Sequence, residues 1–208
     1  MSALVGAAGF GIGLGIFTGL PLGVINVAIA EAVTAGRRRF AQGLGLGGAL
    51  ADAIHALLAF GGLGRFVTGD RVLVRVLAVV VAGVILGYAA LAIRHRRRHA
   101  GRPTVATVAP PDRHAARGAL AGFFLTAPNP AALTAWVAVA AAVWPDAERA
   151  EAGLIAGGVW LGSSLWFSLL ARWIARVRPD HPALAWVPRV AFALLAATAV
   201  AGVLRALL

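Results

Sequence analysis

The chain has 208 residues, 60% of them hydrophobic and only 13% charged, with a formal net charge of +11. A soluble domain carries about a quarter charged residues, so the composition points to an integral membrane protein instead. There is no cysteine, which excludes disulfides, thiolate metal sites and thiol redox chemistry.

All 19 basic residues are arginine, which reads as the base composition of a GC-rich bacterial genome rather than as mechanism. They lie in short segments between apolar runs. That is the pattern of membrane-protein loops, not of a nucleic-acid surface.

A bilayer-crossing helix needs roughly 20 mostly apolar residues, and six stretches qualify. The first, 7–33, is interrupted by Gly19-Leu20-Pro21-Leu22-Gly23. Met1-Ser2-Ala3 puts no basic side chain ahead of it, so it reads as a retained span rather than a signal. Gly11, Gly15, Gly19 and Gly23 recur along it every four residues, a spacing that lets membrane helices approach closely. Glu31 falls near its end, where it pairs with Arg37 or gates access.

The second stretch, 41–63, repeats the small-residue spacing at Gly43, Gly47 and Ala51 and carries Asp52 in its middle. A carboxylate at mid-bilayer is costly unless paired or hydrated, so Asp52 is the leading functional candidate. His55 lies three residues on and shares its face. Gly45 and Gly48 share that face too, which predicts that Asp52 meets another backbone. The third stretch, 72–93, is rich in Val, Leu and Ala.

Residues 94–117 form a basic linker. Its run Arg94-His95-Arg96-Arg97-Arg98-His99 sets topology, and Pro103, Pro110 and Pro111 predict a flexible connection. The fourth stretch, 118–144, is interrupted by Thr126-Ala127-Pro128-Asn129-Pro130. The fifth and sixth are 152–174 and 186–206. Trp144 and Trp186 sit near span ends as interfacial anchors, and Trp166 either lines a cavity or packs.

The segments after spans one, three and five hold 14 arginines against 5 on the alternate side. The richer side is cytoplasmic by the positive-inside rule, and both termini then lie outside the cytoplasm. Pro21 and Pro128 are 107 positions apart, with Gly15-Ile16-Phe17 matching Gly122-Phe123-Phe124 at the same offset. Gly43-Leu44 and Gly47-Gly48 match Gly153-Leu154 and Gly157-Gly158 at an offset of 110. Three spans per half invert the second half. The fold expected is an all-α polytopic membrane protein of six transmembrane helices. They form two inverted three-helix repeats, about 1–93 and 118–208, in one domain with helices 1 and 4 broken.

Proline removes a backbone donor and clashes with the preceding turn. In a bilayer the freed carbonyls need a partner or a water-lined cavity. Interrupted helices at corresponding points of two halves are therefore the expected binding site. Its expected members are Gly19, Pro21, Gly23, Asn26, Thr126, Pro128, Asn129 and Pro130, with Asp52 and His55 binding an amine, a cation or a proton. Half-helix N-termini would suit a substrate carboxylate. Together these groups suit a zwitterionic amino acid.

With these residues in view, the chain resembles the LysE/RhtB family of bacterial amino-acid exporters over nearly its whole length. Its first element is a Gly/Pro break, a long helix, Gly36-Arg37-Arg38-Arg39, and a Gly-rich span from Gly43 to Asp52-Ala53-Ile54-His55. The second is Gly122-Phe123-Phe124-Leu125-Thr126-Ala127-Pro128-Asn129-Pro130-Ala131, and the third Gly162-Ser163-Ser164-Leu165-Trp166. The resemblance implies six spans, an inner-membrane location and export of amino acids or related metabolites driven by the proton gradient. The family's first break usually reads Gly-Pro-x-Pro-Asn, whereas Gly19-Leu20-Pro21-Leu22-Gly23 lacks the adjacent Asn.

The reading is thus a secondary transporter rather than an enzyme, acting on a small molecule in a lipid bilayer without a cofactor, a resident metal or nucleic acid. Its self-association into a homo-oligomer stays open. A divalent-cation exporter is the alternative, though hard cations want several oxygen ligands and Asp52 is one carboxylate. An intramembrane hydrolase using Ser163 or Ser164 with His55, or a non-transporting membrane scaffold, are alternatives of other classes.

Overall fold

In a computed structural model, residues 2–20, 23–63, 111–144 and 146–176 are described, together with scattered positions between 72 and 94 and Ala193. Pro21, most of the expected spans 72–93 and 186–206, and the linker as far as residue 110 lie outside the described residues. Among the described residues there are six α-helices and no strand.

Helix α1 (Ser2–Gly19) closes on a tight turn, with the Leu20 N–H donating to the Phe17 carbonyl at 3.3 Å. Helix α2 (Val24–Thr34) starts anew with Gly23 as its extended N-cap. It ends where Gly36 adopts a left-handed φ of 75°. There the Gly36 N–H donates to Val33 at 3.0 Å and the Arg37 N–H to Ala32 at 2.8 Å, a Schellman closure that glycine makes without strain.

Helix α3 (Arg38–Phe60) is one continuous element of 23 residues. Helix α4 (Pro111–Thr126) begins seven residues ahead of the expected fourth span. Residues 111–117, expected as flexible linker, are therefore helical, and Pro111 suits the first turn because its fixed φ is already helical. Helix α5 (Pro130–Val143) follows the second break, and α6 (Arg149–Arg176) runs 28 residues. The Glu151 carboxylate accepts from the Glu148 N–H at 3.0 Å, closing the start of α6.

Helices α3 and α6 are each long and apolar enough to cross a membrane. The pairs α1–α2 and α4–α5 qualify only as bent pairs, with bends of 68° and 71°. Four apolar units therefore occupy the described residues, at the four places expected there. The bends are sharper than a proline kink in a through-going helix. Each break turns the chain nearly sideways at the centre of the assembly.

Glycine decides which helices touch. A Cβ on Gly11 or Gly15 of α1 would fall on the backbone of Ile155 or Val159 in α6. A Cβ on Gly118 or Gly122 of α4 would fall on Phe40 or Leu44 in α3. The facing glycines answer in kind: Gly43 and Gly47 of α3 meet Ala115 and Ala119, and Gly158 and Gly162 of α6 meet Ala8 and Ile12. The first half-helix of each bent pair thus lies backbone-to-backbone against the long helix of the other half. Lipid gives no hydrophobic drive for such contacts, so close packing supplies the attraction.

The glycines matched by sequence are not the ones at the crossing. A Cβ on Gly153 or Gly157, matched above to Gly43 and Gly47, would meet nothing within 4 Å. Gly158 and Gly162, 115 positions after Gly43 and Gly47, occupy the contact with α1. Helix α6 carries two glycine rows five residues apart, which at about 100° per residue lie on different faces. Sequence likeness cannot choose between them; the contact with α1 does.

Candidate functional site

The two breaks and α3 line a half-open cavity of about 140 Å³. Gly19, Gly23 and Asn26 line it from the first break, Thr126 and Asn129 from the second, and Asp52 from α3. Val24, Ile25, Leu125 and Phe167 make its walls largely apolar. Six of the expected site residues therefore meet in one place. Pro128, Pro130 and His55 do not line it, and Pro21 lies outside the described residues.

The first break is closed by a side chain. Asn26, 3% exposed, donates from Nδ2 to the Gly19 carbonyl at 2.8 Å, supplying a donor to the end of α1. Its Oδ1 accepts from the Trp166 indole N–H of α6 at 3.2 Å. Trp166 also packs its ring over Gly19, where a Cβ would collide with it, and stands edge-on to Trp173 at 6.0 Å. Trp166 is thus a packing residue rather than a cavity wall. Gly23 offers α2 no side-chain cap. Val24 and Ile25, in the first turn of α2 at the positive end of the helix, are among the lining residues.

The second break is closed differently. Asn129 caps α5, its Oδ1 accepting from the Ala131 and Ala132 N–H groups at 3.1 and 3.3 Å. Pro130 has no N–H, and the Leu133 N–H donates to the Asn129 carbonyl at 3.2 Å. The N-terminus of α5 is therefore satisfied by its own cap. The two half-helix N-termini therefore differ: α5 is capped by Asn129, whereas α2 has no side-chain cap at Gly23. Only the amide nitrogen of Asn129 remains for the cavity.

His55, 2% exposed, reaches the same break from α3. Its Nε2 lies 2.9 Å from the Ala127 carbonyl. A carbonyl only accepts, so Nε2 carries the proton and donates. Nδ1 is buried without a hydrogen-bond partner. The expected pairing of His55 with Asp52 is not made.

Asp52 instead meets α6. The Ser163 hydroxyl, fully buried, lies 3.3 Å from Asp52 Oδ2 and 3.2 Å from the Gly15 carbonyl of α1. Gly45 and Gly48 do not bring α3 against a backbone as expected; their missing side chains admit Phe167 and Ile25. Asp52 so faces a hydroxyl on one side and the cavity on the other.

Glu31, 1% exposed, pairs with Arg37 at 2.6 Å, and the Arg37 guanidinium lies 4.8 Å over the Phe40 ring. Pairing rather than an open gate is the state observed. The hydrolase alternative has no Ser–His hydrogen bond to begin from: Ser163 is taken by Asp52 and Gly15, His55 Nε2 by Ala127, and the buried Ser164 hydroxyl has no hydrogen-bond partner, His55 included. Among the described residues no three His, Cys, Asp or Glu side chains gather as a metal site would need.

Sequence reasoning missed Thr18, Val24, Ile25, Leu125 and Phe167 in the lining and the support that Ser163 gives Asp52. Thr18 sits one residue before Gly19, and its hydroxyl is spent on the Leu14 carbonyl at 2.9 Å. Phe167 is one apolar residue among many. The Ser163 contact could have been sought by asking which polar side chain of another span is available to Asp52.

A family model described as LysE type translocator matches residues 16–204. The chain belongs to that family, whose members are membrane transporters of small molecules. No curated protein and no solved structure matched the chain.

Proposed function

We propose that this LysE type translocator is a secondary exporter of small amino acids or related zwitterionic metabolites. In this reading it resides in the bacterial inner membrane and is coupled to the proton gradient. The observation that carries it is the convergence of both chain breaks and the mid-span acid Asp52 on one cavity. A substrate ammonium group would pair with the Asp52 carboxylate. The carboxylate of the same molecule would meet the α2 amides at Val24 and Ile25, where the helix dipole favours negative charge. Thr126 and the Asn129 amide add neutral hydrogen bonds. One carboxylate facing one positive helix end is a complementary frame for a zwitterion.

The two halves are read as inverted three-helix repeats, which supports alternating access by rocking of one half on the other. Support comes from the reciprocal crossings, α1 on α6 and α4 on α3, built from glycines at matching places. The termini then face away from the cytoplasm, as the arginine distribution requires.

The deciding experiment is uptake of labelled amino acids into proteoliposomes under imposed proton gradients. Accumulation that collapses with the gradient is expected. Absence of flux for every amino acid, with the protein folded and inserted, would overturn the proposal.

A further inference from the structure

Helices α3 and α6 meet at Asp52 and Ser163, and one turn beyond each of these residues stands a ring N–H. His55 follows Asp52 by three positions, and Trp166 follows Ser163 by three. Each ring reaches the break of the opposite half. His55 of α3 donates to Ala127 at the second break, 2.9 Å away. Trp166 of α6 donates to Asn26, which in turn donates to Gly19 at the first break. The two ties therefore cross. The His55 tie ends on the Ala127 carbonyl and the Trp166 tie, through the Asn26 side chain, on the Gly19 carbonyl, each at the end of a broken helix.

We propose that His55 and Trp166 are positioning residues that pin the two breaks, each to the long helix of the other half, and so fix the two edges of the central cavity. Neither ring lines the cavity, so neither acts by touching a substrate. Each acts through the turn it holds. The Trp166 tie governs the edge formed by Thr18, Gly19 and Asn26, and the His55 tie the edge formed by Thr126 and Asn129. Because the ties start one turn from Asp52 and Ser163, a shift of α3 against α6 at the occupied site loads both at once. This rests on reading the cavity as the transport site.

The chain has no cysteine, so a single introduced thiol is a unique reporter. Thr18→Cys and Thr126→Cys place it at either edge. Reaction with a membrane-impermeant maleimide is followed in each background. Trp166→Phe keeps a ring but loses the donor; it is expected to speed labelling at 18 about fivefold and leave 126 unchanged. That is the population change carried by one net hydrogen bond. His55→Leu is expected to do the converse, and His55→Gln, which restores a donor, to return the parental rate. Size-exclusion profiles identify folded variants, and Asn26→Leu replaces Trp166→Phe if that variant does not fold. Parental labelling in folded variants, or equal change at both sites, overturns the proposal. Labelling needs no substrate, so this result stands apart from success or failure of the flux assay.

Discussion

Ser163 on α6 and Asp52 on α3 are 3.3 Å apart, and the same hydroxyl lies 3.2 Å from the Gly15 carbonyl on α1. Ser163 therefore ties Asp52 to the α1–α6 crossing, where Gly15 packs without a side chain.

Asp52→Asn keeps the shape and an oxygen for Ser163 but removes the charge. A hydrogen bond to a charged group is worth about 1.5–3 kcal/mol, so flux at low substrate concentration is expected to fall about 10–100-fold. Thermal unfolding of the purified protein is expected to change little or to rise, since a buried charge is removed. Flux at the parental rate in the folded variant would take Asp52 out of the mechanism.

How much of this was legible beforehand follows from the kind of signal each residue leaves. Proline is unambiguous inside an apolar run, so both breaks were readable, as was Asp52, the acid in the middle of span two. Glycine spacing announced close packing but not its partner. The two glycine rows of α6 are equivalent as sequence and differ by their direction around the helix. Asn129 looked like a ligand because it lies between Pro128 and Pro130. That setting also makes it an N-cap, its Oδ1 accepting from the α5 amides at Ala131 and Ala132, while the residue still lines the cavity. His55 looked like the partner of Asp52 because residues three apart share a face. Neighbouring helices separate them, one turned to Ala127 and the other to Ser163.

The glycine rows give a sharp comparison. Gly47→Ala places a methyl on the Ala119 backbone, and overpacking of this kind costs about 1–3 kcal/mol. Gly157→Ala meets nothing within 4 Å and is expected to be neutral or to stabilise by about 0.5–1 kcal/mol, as glycine-to-alanine changes in helices do. Denaturation midpoints of the two variants in one detergent check the difference. If Gly157→Ala proves the more damaging, the α6 glycine row matched by sequence is the one that packs.

Asn129→Ala removes the acceptor for two α5 amides and is expected to cost about 1 kcal/mol. Asn129→Asp keeps the cap and is expected to keep the stability. A midpoint for Asn129→Ala that matches the parent would mean that water or another group satisfies those amides.

Arg37→Leu leaves Glu31 charged and buried. Loss of one partner of a buried pair costs about 3–5 kcal/mol. Arg37 is 23% exposed, which puts the expected cost at the low end. Adding Glu31→Gln to Arg37→Leu is expected to recover most of it, because the carboxylate that Arg37 paired with is gone. A double variant no more stable than the single would locate the cost in the Arg37–Phe40 contact instead.

The cavity also predicts what is not carried. Its volume of about 140 Å³ is roughly half the low end for drug-sized ligand sites, about 300 Å³. Val24, Ile25, Leu125 and Phe167 form its walls, and among the described residues Asp52 is the one acid that lines it. A dibasic amino acid would spend Asp52 on one ammonium group and press its second charge into those walls. A buried charge without a partner is far more costly than a buried methyl group. Small zwitterions with short apolar side chains are therefore expected to compete for flux at least about tenfold better than lysine or arginine, a preference of about 1.4 kcal/mol. The measurement is inhibition of one labelled substrate by a panel of unlabelled amino acids at equal concentration. Lysine or arginine as the strongest competitor would show that a second acid reaches the substrate, and that the cavity between the breaks is not by itself the complete site.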